Sequence, residues 1–292
     1  MRSNPAEYTF VSPGTLAGAL DLLHREPEMW LPLAGGTEVM VQYSSGRLGA
    51  RRLLNLWNIG ELKQITESVD SLRIGGGCTF AELREHPTVQ KYFPLLAKAA
   101  AWTGSIANQN RATIAGNIVN ASPAADSPPA LLAYEAELEL VSATGTRRLS
   151  YRDFHLAYKK TALKPNELLL AIHLPKRFVE WFCYCQKTGT RNAQAISKVC
   201  IAGVGKLRHG RVEAVHLAIG AVAPIPLCLR KTEKVLLSVE LTKHTIAEAQ
   251  RALASEISPI EDIRSSAEYR RQVAANLLED LLQSFAASEH GQ

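Results

Sequence analysis

The sequence predicts an α+β protein built from three domains. A strand–helix–strand pattern opens the chain, a new series of apolar segments starts after residue 60, and the composition shifts near residue 177. A chain of 292 residues is long enough for two or three domains with their own cores. We therefore expect domains at residues 1–60, 61–176 and 177–292, the last of them a sheet with helices.

The first domain is expected to begin with a strand, a helix and a second strand. Tyr8–Val11 is a short apolar run, and Ser12 before Pro13 is typical of an N-cap followed by proline at the first helical position. The segment WLPLAGG predicts a strand that runs into a glycine turn, and RRLLNLW predicts the next strand.

The second domain is expected to combine helices with an antiparallel hairpin. SLRIGGG predicts a strand, Thr79 with Glu82 predicts a capping box, and a longer helix is expected at residues 94–102. The run LLAYEAELELVSATGTRRLSYRDF alternates as a hairpin that turns at Thr144 and Gly145. ELLLAIHLP predicts a further strand, which its proline closes.

The third domain is expected to hold a two-stranded unit and two helices. VCIAGVGKLRHGRVEAVHLAIGAV predicts two strands joined at its HG turn, and capping boxes are expected at Thr245 with Glu248 and at Ser265 with Glu268. Apolar residues at steps of four predict the buried face of the last helix. They are Tyr269, Val273, Leu277, Leu281 and Phe285.

The composition argues against several classes of protein. The net charge of +5 is spread along the chain, which disfavours nucleic-acid binding. Five cysteines without a C-x-x-C pair disfavour a disulfide framework, a zinc ribbon or a cysteine-ligated iron–sulfur cluster, and favour a cytoplasmic protein with reduced thiols. Neither a membrane span nor a secretion signal is expected. Rossmann, P-loop and zincin motifs are not found in the sequence.

Two loops of small residues give the strongest indication of a binding site. In LAGGTEV and TIAGN, residues with little or no side chain stand directly after Leu33 and Ile114, and small side chains let backbone N–H groups approach an anion. A diphosphate needs several such donors, so we expect the two loops to form opposite walls of one cleft. The candidates are Leu33, Ala34, Gly35, Gly36, Thr37, Glu38, Val39, Thr113, Ile114, Ala115, Gly116 and Asn117.

Each of these candidates also has a plainer interpretation. Either loop alone is compatible with an ordinary turn. Asp126 can accept hydrogen bonds from sugar hydroxyls, or it can be the N-terminal aspartate of a helix that starts before Pro128. If the first loop faces a cleft, bulky residues at Gly35 or Gly36 are expected to block the ligand and to leave the fold intact.

Four segments together resemble one known family. LAGGTEVMVQ, NRATIAGNIVNASPAADSPPALLAYEAELEL, YKKTALKPNELLLAIHLP and QKTGTRNAQAISKV occur in the order and spacing of the FAD-binding medium subunit of the molybdenum hydroxylases, the family of xanthine dehydrogenase and carbon monoxide dehydrogenase. The resemblance covers almost the whole chain. It implies a fold of the vanillyl-alcohol-oxidase (VAO)/PCMH type, in which two subdomains hold an extended FAD and a C-terminal flavoprotein domain closes over the flavin.

The resemblance also implies a function for the candidate residues. The two loops would hold the diphosphate of a non-covalent FAD, and Asp126 would hold hydroxyls. Thr103 would contact the cofactor, Leu169 would pack near the flavin or the adenine, and Lys187 would lie near the isoalloxazine. FAD would take electrons from [2Fe-2S] clusters on a small partner subunit, while a large partner subunit would carry the molybdopterin cofactor.

The sequence departs from the family at three places, one of which is Asn108-Gln109-Asn110, where the family commonly has Ile-Arg-Asn. Ala115 stands where the family commonly has glycine, and the loop at residues 191–195 lacks the acidic residues of the animal xanthine dehydrogenases. The acceptor implied by the resemblance is therefore NAD or another molecule. Two other interpretations stay open: a stand-alone FAD-dependent oxidase or dehydrogenase of the VAO/PCMH superfamily, and a scaffold without a cofactor.

Overall fold

The strands form three sheets and a small hairpin in this computed structural model, which describes residues 4–191 and 194–288. The sheets follow one another along the chain, with strands within residues 9–55, 65–175 and 182–228. The α+β class predicted from the sequence is confirmed. Short 3₁₀ turns lie at Pro5–Glu7, Gly60–Leu62, Tyr151–Asp153 and Lys176–Phe178.

The first sheet is parallel and has its last strand in the middle. Its elements are β1 (Thr9–Val11), α1 (Leu16–Arg25), β2 (Leu31–Leu33), α2 (Thr37–Ser44) and β3 (Arg52–Asn55), with strand order β1-β3-β2. Thr15 caps α1 by accepting a hydrogen bond from the Gly18 N–H at 3.2 Å. The predicted start at Ser12 and Pro13 is therefore wrong, since the glycine at position 14 disfavours a helical turn there.

The second sheet is antiparallel and is formed from strands that lie far apart in the sequence. Its hairpin pairs Ser142 with Gly145 at the predicted turn. The strands are β4 (Ile65–Glu67), β5 (Ser71–Gly75), β6 (Glu137–Ser142), β7 (Gly145–Ser150), the separate hairpin β8 (His155–Ala157) with β9 (Lys160–Thr161), and β10 (Leu168–Pro175). The order β4-β5-β10-β6-β7 places β10 between the two halves.

Short helices occupy the chain between β5 and β6. They are α3 (Phe80–Glu85), α4 (Pro87–Tyr92), α5 (Pro94–Trp102), α6 (Ile106–Gln109), α7 (Ile114–Val119) and α8 (Ser127–Ala133). The capping box at Thr79 and Glu82 is confirmed, and α5 spans the predicted residues. The small-residue stretch TIAGN therefore forms the start of a helix.

The third sheet carries the C-terminal helices. The elements are β11 (Phe182–Thr188), β12 (Val199–Arg208), β13 (Arg211–Gly220), β14 (Leu227–Cys228), α9 (Arg230–Leu236), α10 (Lys243–Glu256) and α11 (Ala267–Ala287), with strand order β11-β12-β13-β14. Thr242 caps α10 and Ser266 caps α11. The capping boxes predicted at Thr245 and Ser265 are wrong, because the extended backbone that an N-cap requires falls at these neighbouring residues.

Both faces of the third sheet are covered, and this joins it to the second domain. Ala202 of β12 packs in one core with Leu131 of α8. Ile201, the next residue along the strand, packs on the opposite face with Leu281 and Phe285 of α11. Because side chains alternate across a strand, β12 contacts both neighbouring layers. The predicted apolar face of α11 is buried from Leu277 onward, whereas Tyr269 is 41% exposed.

A buried histidine lies under the β8–β9 hairpin. His155 is 6% exposed, and its Nε2 is 3.0 Å from the hydroxyl of Tyr151. The ring packs edge-on against Tyr151 and Phe154. Burial lowers the pKa of His155 from 6.5 to about 4. The folded protein therefore keeps this imidazole neutral at pH values where the unfolded chain protonates it.

We expect His155 to make the protein less stable in mild acid. Between about pH 6.5 and pH 4 the unfolded state binds more protons at this residue, so the free energy of unfolding falls as the pH is lowered through that window. His155→Gln should flatten this dependence in urea unfolding curves. His24→Gln, at an exposed histidine, is the matched control. Equal pH dependence in the wild type and the His155 variant would contradict the assignment.

Candidate functional site

A cavity of about 1130 Å³ lies where the three sheets meet. Its volume is just above the range of roughly 300–1,000 Å³ that holds most small molecules, so it suits a large cofactor. We call residues 33–39 the first wall and residues 113–117 the second wall. The third wall comes from the C-terminal domain and contains residues 194–197, Ala221, Ala223, Pro224, Ile260, Asp262, Arg264 and Arg270.

The first wall joins β2 to the N-terminus of α2. Every residue from Leu33 to Val39 lines the cavity. Gly36 occupies the N-cap position in a left-handed conformation (φ 76°) and offers no side chain to cap the helix. The N–H groups of the first turn have no acceptor within their own helix, and the helix dipole adds positive potential at this end. This wall can therefore offer N–H donors to an anion.

Gly35 has a different role from the one expected. A Cβ atom at this position would lie 1.7 Å from the carbonyl oxygen of Arg111. The close neighbour of Gly35 is thus the backbone that leads into the second wall. The expectation that the fold tolerates a bulky residue at Gly35 is wrong, because such a residue would separate the first and second domains.

The second wall uses its N–H groups internally. The Ile114 N–H donates to the Cys78 carbonyl and the Ala115 N–H to the Gly76 carbonyl, both at 3.0 Å. The Gly116 N–H donates to the Thr113 side chain at 3.2 Å. The expectation that these amides point at an anion is therefore wrong. Ile114 is fully buried and is not among the residues that line the cavity.

Side chains and small surfaces are what the second wall presents. Thr113, Ala115, Gly116 and Asn117 all line the cavity. The Ser127 hydroxyl donates to the Oδ1 atom of Asn117 at 2.7 Å. Because this bond fixes the orientation of the amide, the NH₂ group of Asn117 can offer two N–H donors to a ligand, and Oδ1 keeps one lone pair.

Asp126 and Lys187 form a buried ion pair. The Lys187 ammonium donates to Oδ2 of Asp126 at 2.7 Å and to the Trp102 carbonyl at 3.3 Å, and the Ser197 hydroxyl donates to Oδ1 at 2.5 Å. Both charged side chains are less than a tenth exposed. Burial raises the pKa of Asp126, and the Lys187 ammonium and the Ser197 hydroxyl oppose that rise.

This pair changes the expectation for both residues. Asp126 occupies the N-cap position of α8 but makes no capping hydrogen bond with its side chain. It lines the cavity, whereas Lys187 lies behind it, outside the lining. The cation expected near the isoalloxazine is thus bound to the carboxylate expected to hold hydroxyls. Sequence reasoning could not find this contact, because 61 positions separate the two residues.

The remaining two candidates line the cavity, but in different ways. Leu169 is buried, and its carbonyl oxygen would lie 2.4 Å from a Cβ on Gly76. The Thr103 hydroxyl donates to the Ala99 carbonyl at 3.0 Å, so this side chain is held by its own helix. Sequence reasoning missed other residues of the lining, although the three glycines of SLRIGGG carried the small-residue signal used for the two loops. The missed residues include Trp57, Lys63, Gly76, Gly77, Tyr158 and Ser197.

Arg270 holds the third wall together. It is 3% exposed, and its Nη1 atom donates to the carbonyls of Lys198 and Ala221 at 2.9 and 3.0 Å. Its Nη2 atom donates to Asp262 at 2.8 Å. One side chain of α11 therefore connects the approach to β12, the end of β13 and the loop before α11.

In residues 4–191 and 194–288 no cluster of three or more His, Cys, Asp or Glu side chains is arranged to hold a metal ion. Among the helices that the structure describes, none is long and apolar enough to cross a membrane.

Comparison with known proteins gives matches over nearly the whole chain. Residues 6–177 match the family model of the FAD-binding domain in molybdopterin dehydrogenase, and residues 184–285 match the C-terminal domain of the CO dehydrogenase flavoprotein. The chain is 31% identical to the xanthine dehydrogenase FAD-binding subunit of Escherichia coli O157:H7, over 95% of this chain and 96% of that protein.

Two further relatives extend the comparison to other substrates and to a solved structure. The glyceraldehyde dehydrogenase medium chain of Sulfolobus acidocaldarius is 28% identical, over 92% of this chain and 95% of the relative. A structure of carbon monoxide dehydrogenase from Hydrogenophaga pseudoflava superposes with a TM-score of 0.92 at 27% identity, over 96% of this chain and 98% of that one.

The chain is an FAD-binding subunit of the molybdenum hydroxylase family. It is an oxidoreductase subunit of the xanthine and CO dehydrogenase type, as the sequence predicted. FAD as its cofactor is also confirmed.

The cavity fits this cofactor by the chemistry of its residues. FAD carries an anionic diphosphate between two aromatic ring systems. The cavity offers an uncapped helix N-terminus, a donor amide on Asn117, a carboxylate on Asp126 and aliphatic surface from Leu33 and Leu169. The helix N-terminus suits the anionic diphosphate, the amide and the carboxylate suit the hydroxyls, and the aliphatic surface suits an aromatic ring.

Gly35 and Gly36 should respond differently to alanine. Gly35→Ala should destabilise the fold and abolish FAD binding, because its Cβ would overlap the Arg111 carbonyl. In Gly36→Ala the Cβ would make only ordinary van der Waals contact with Leu33 and Met40, but the backbone is left-handed. This variant should therefore lose about 1–2 kcal/mol of stability and keep most of its FAD. Urea unfolding and the ratio of flavin to protein absorbance measure both effects. A Gly35→Ala protein with wild-type stability would contradict this account.

The effects of substituting Lys187 and Asp126 on stability should not be additive. Lys187→Met leaves the Asp126 carboxylate buried without its cation and should cost about 3–5 kcal/mol of stability. The double variant Asp126→Asn with Lys187→Met should cost clearly less, because neither charge is then left unpaired. Urea unfolding measures both.

Lys206 supplies the matched control for that experiment. Its bridge to Glu213 at 3.0 Å lies on the same sheet and is exposed. Lys206→Met should therefore cost only about 0–1 kcal/mol. If Lys187→Met costs no more than Lys206→Met, the pair is not the buried unit that the structure describes.

Proposed function

We propose that this chain binds one FAD without a covalent bond in the central cavity. Through this FAD it passes electrons from partner subunits to an acceptor. In this proposal a small partner subunit supplies electrons from [2Fe-2S] clusters, and a large partner subunit carries the molybdenum cofactor where substrate is oxidised. The observation that supports it most directly is the uncapped N-terminus of α2 inside the cavity of a chain whose family binds FAD.

The residues of the cavity have distinct parts in this proposal. The first-turn N–H groups from Thr37 to Val39 hold the diphosphate, and Gly36 supplies the left-handed backbone from which this helix starts. Asn117 and Asp126 hold hydroxyls of the ribityl or ribose parts, and Leu169 packs against a ring. When bound, FAD supplies the chemistry of accepting electrons singly and releasing them in pairs.

Lys187 acts through Asp126 in this proposal. Its ammonium opposes the rise that burial causes in the pKa of Asp126 and fixes the carboxylate in place, where it can accept hydrogen bonds from the cofactor. Ser197 holds the second carboxylate oxygen and belongs to the third wall. The pair therefore connects the hydroxyl site on the second domain to the C-terminal domain that closes over the ring.

The need for partners is supported by the relatives. The glyceraldehyde dehydrogenase relative is named a medium chain, and the E. coli relative is named an FAD-binding subunit. The solved relative is described as lacking the Mo-pyranopterin moiety of its molybdenum cofactor. We propose that this chain occupies the corresponding position in a complex of its own.

The acceptor is proposed to be NAD or another small oxidant that reaches the cavity beside the third wall. In the sequence, the loop at residues 191–195 carries no acidic residue. Asn192 and Ala193 lie outside the described residues, while Gln194 and Ala195 line the cavity. The same loop therefore contributes both to the wall and to the route by which an acceptor arrives.

The free thiols and the positions of the sheets support a proposed compartment and proposed domain limits. All five cysteines are free thiols, which supports a reducing cytoplasm. The three sheets lie within residues 9–55, 65–175 and 182–228, which supports domain limits near residues 60 and 176.

The proposed function is tested on the purified chain and on the complex. Acid precipitation of the chain should release all flavin as FAD, at one per chain, and the chain alone should not oxidise purines or aldehydes. A tagged chain should copurify from its native cells with two subunits that contain molybdenum and iron. Substrate oxidation by the isolated chain would favour the stand-alone oxidase instead. A chain that never binds flavin would favour a scaffold without a cofactor.

A further inference from the structure

A turn of three glycines fixes the backbone beside the cavity. A Cβ on Gly75 would lie 2.3 Å from the Leu62 carbonyl oxygen, and a Cβ on Gly77 would lie 3.0 Å from the same atom. The Gly77 N–H donates to that oxygen at 2.7 Å, and the Gly75 N–H donates to the Gln64 carbonyl at 2.8 Å. The chain is therefore held on both sides of Lys63, which is half-buried and lines the cavity.

Lys63 shares an aromatic ring with a second cation. Its ammonium lies 4.3 Å from the centroid of the Trp57 ring, and the guanidinium carbon of Arg111 lies 3.7 Å from the same ring. Among the described residues, neither cation has a carboxylate within salt-bridge distance. Two positive charges on one indole repel each other, so an anion placed near them would be bound favourably.

This positive cluster lies next to the first wall. The Arg111 carbonyl is the group that a Cβ on Gly35 would meet, and Trp57 and Lys63 line the same cavity as Gly35 and Gly36. The contacts therefore run without a gap from Lys63 through Trp57 and Arg111 to the glycine loop.

The other cations near the cavity are already paired with carboxylates, so an anion at the first wall would need a further cation. Asp126 is paired with Lys187, and Asp262 is paired with Arg264 and Arg270. Glu38 is exposed in the first turn of α2, where its carboxylate accepts a hydrogen bond from Gln42. An anion at the first wall would meet the negative charge of Glu38, and the Lys63 ammonium can compensate it.

We propose that Lys63 is a further binding residue for FAD, whose diphosphate its ammonium pairs with, and that Trp57 and Arg111 position it. The inference rests on the proposed placement of the diphosphate at the first wall. The lysine stem is flexible and its ammonium is a compact donor of three hydrogen bonds. It can therefore leave the Trp57 face for a phosphate oxygen without movement of the backbone that the glycines hold.

The test compares FAD with a flavin that lacks phosphate. Lys63→Gln should weaken FAD binding by on the order of tenfold, which corresponds to about 1.4 kcal/mol. The same variant should bind riboflavin with the affinity of the wild type. The effect of added salt on FAD affinity should be smaller in Lys63→Gln, since screening acts on the charge pair that was removed. Lys63→Arg should keep most of the affinity. Flavin fluorescence titration of the apoprotein measures all four quantities.

A lysine outside the cavity serves as the control. Lys160 is exposed on β9 and does not line the cavity, so Lys160→Gln should bind FAD like the wild type. If Lys63→Gln binds FAD as tightly as the wild type at low salt, the role of Lys63 is overturned while FAD binding stands. Equal losses for FAD and riboflavin would also overturn it, because the residue would then act through the fold or the ring. Failure of the wild type to bind FAD would instead overturn the proposed function.

Discussion

The close backbone approach at Gly76 is the constraint on which the rest of the cavity depends. A side chain there would meet the Leu169 carbonyl at 2.4 Å and the Ala115 Cβ at 2.8 Å. The Gly76 N–H donates to the Leu170 carbonyl at 2.8 Å, and its own carbonyl accepts from the Ala115 N–H. The end of β5, the start of β10 and the start of α7 thus meet at one residue without a side chain. Such contact is open only to glycine, because any Cβ would force these backbones apart.

That junction makes the two walls chemically unequal. The second wall uses its first-turn N–H groups to hold the junction, so it offers a ligand a fixed surface and side-chain groups. The first wall makes its close approach through Gly35, and its helix N-terminus stays uncapped. Because buried N–H groups need partners, a segment that supports the fold with its amides cannot also give them to an anion. Small residues therefore mark both walls for different physical reasons.

Local signals predicted much of the fold and part of the site. Periodicity and turn residues found strands in all three sheets, the α5 helix and the hairpin at Thr144, but not β4, β8, β9, β11 or β14. The small-residue runs indicated the two loops that line the cavity. Helix starts failed where two candidate caps lie close together, since Thr242 and Ser266 take the role from Thr245 and Ser265. The contact of Lys187 with Asp126 and the place of Lys63 could not be predicted. They depend on how separate sheets meet, which no short segment encodes.

The distribution of charge in the cavity favours one orientation for a dinucleotide. At the C-terminal side, Asp126 and Asp262 are neutralised by Lys187, Arg264 and Arg270, so a neutral aromatic ring can approach without meeting an unpaired charge. At the first wall, the helix N-terminus and the Lys63 ammonium supply positive potential, against which stands the single carboxylate of Glu38. This distribution of charge supports the proposed placement of the diphosphate at the first wall. The C-terminal domain is then left to contact a ring, where the pairing of its own charges keeps the surroundings of the ring electrically balanced.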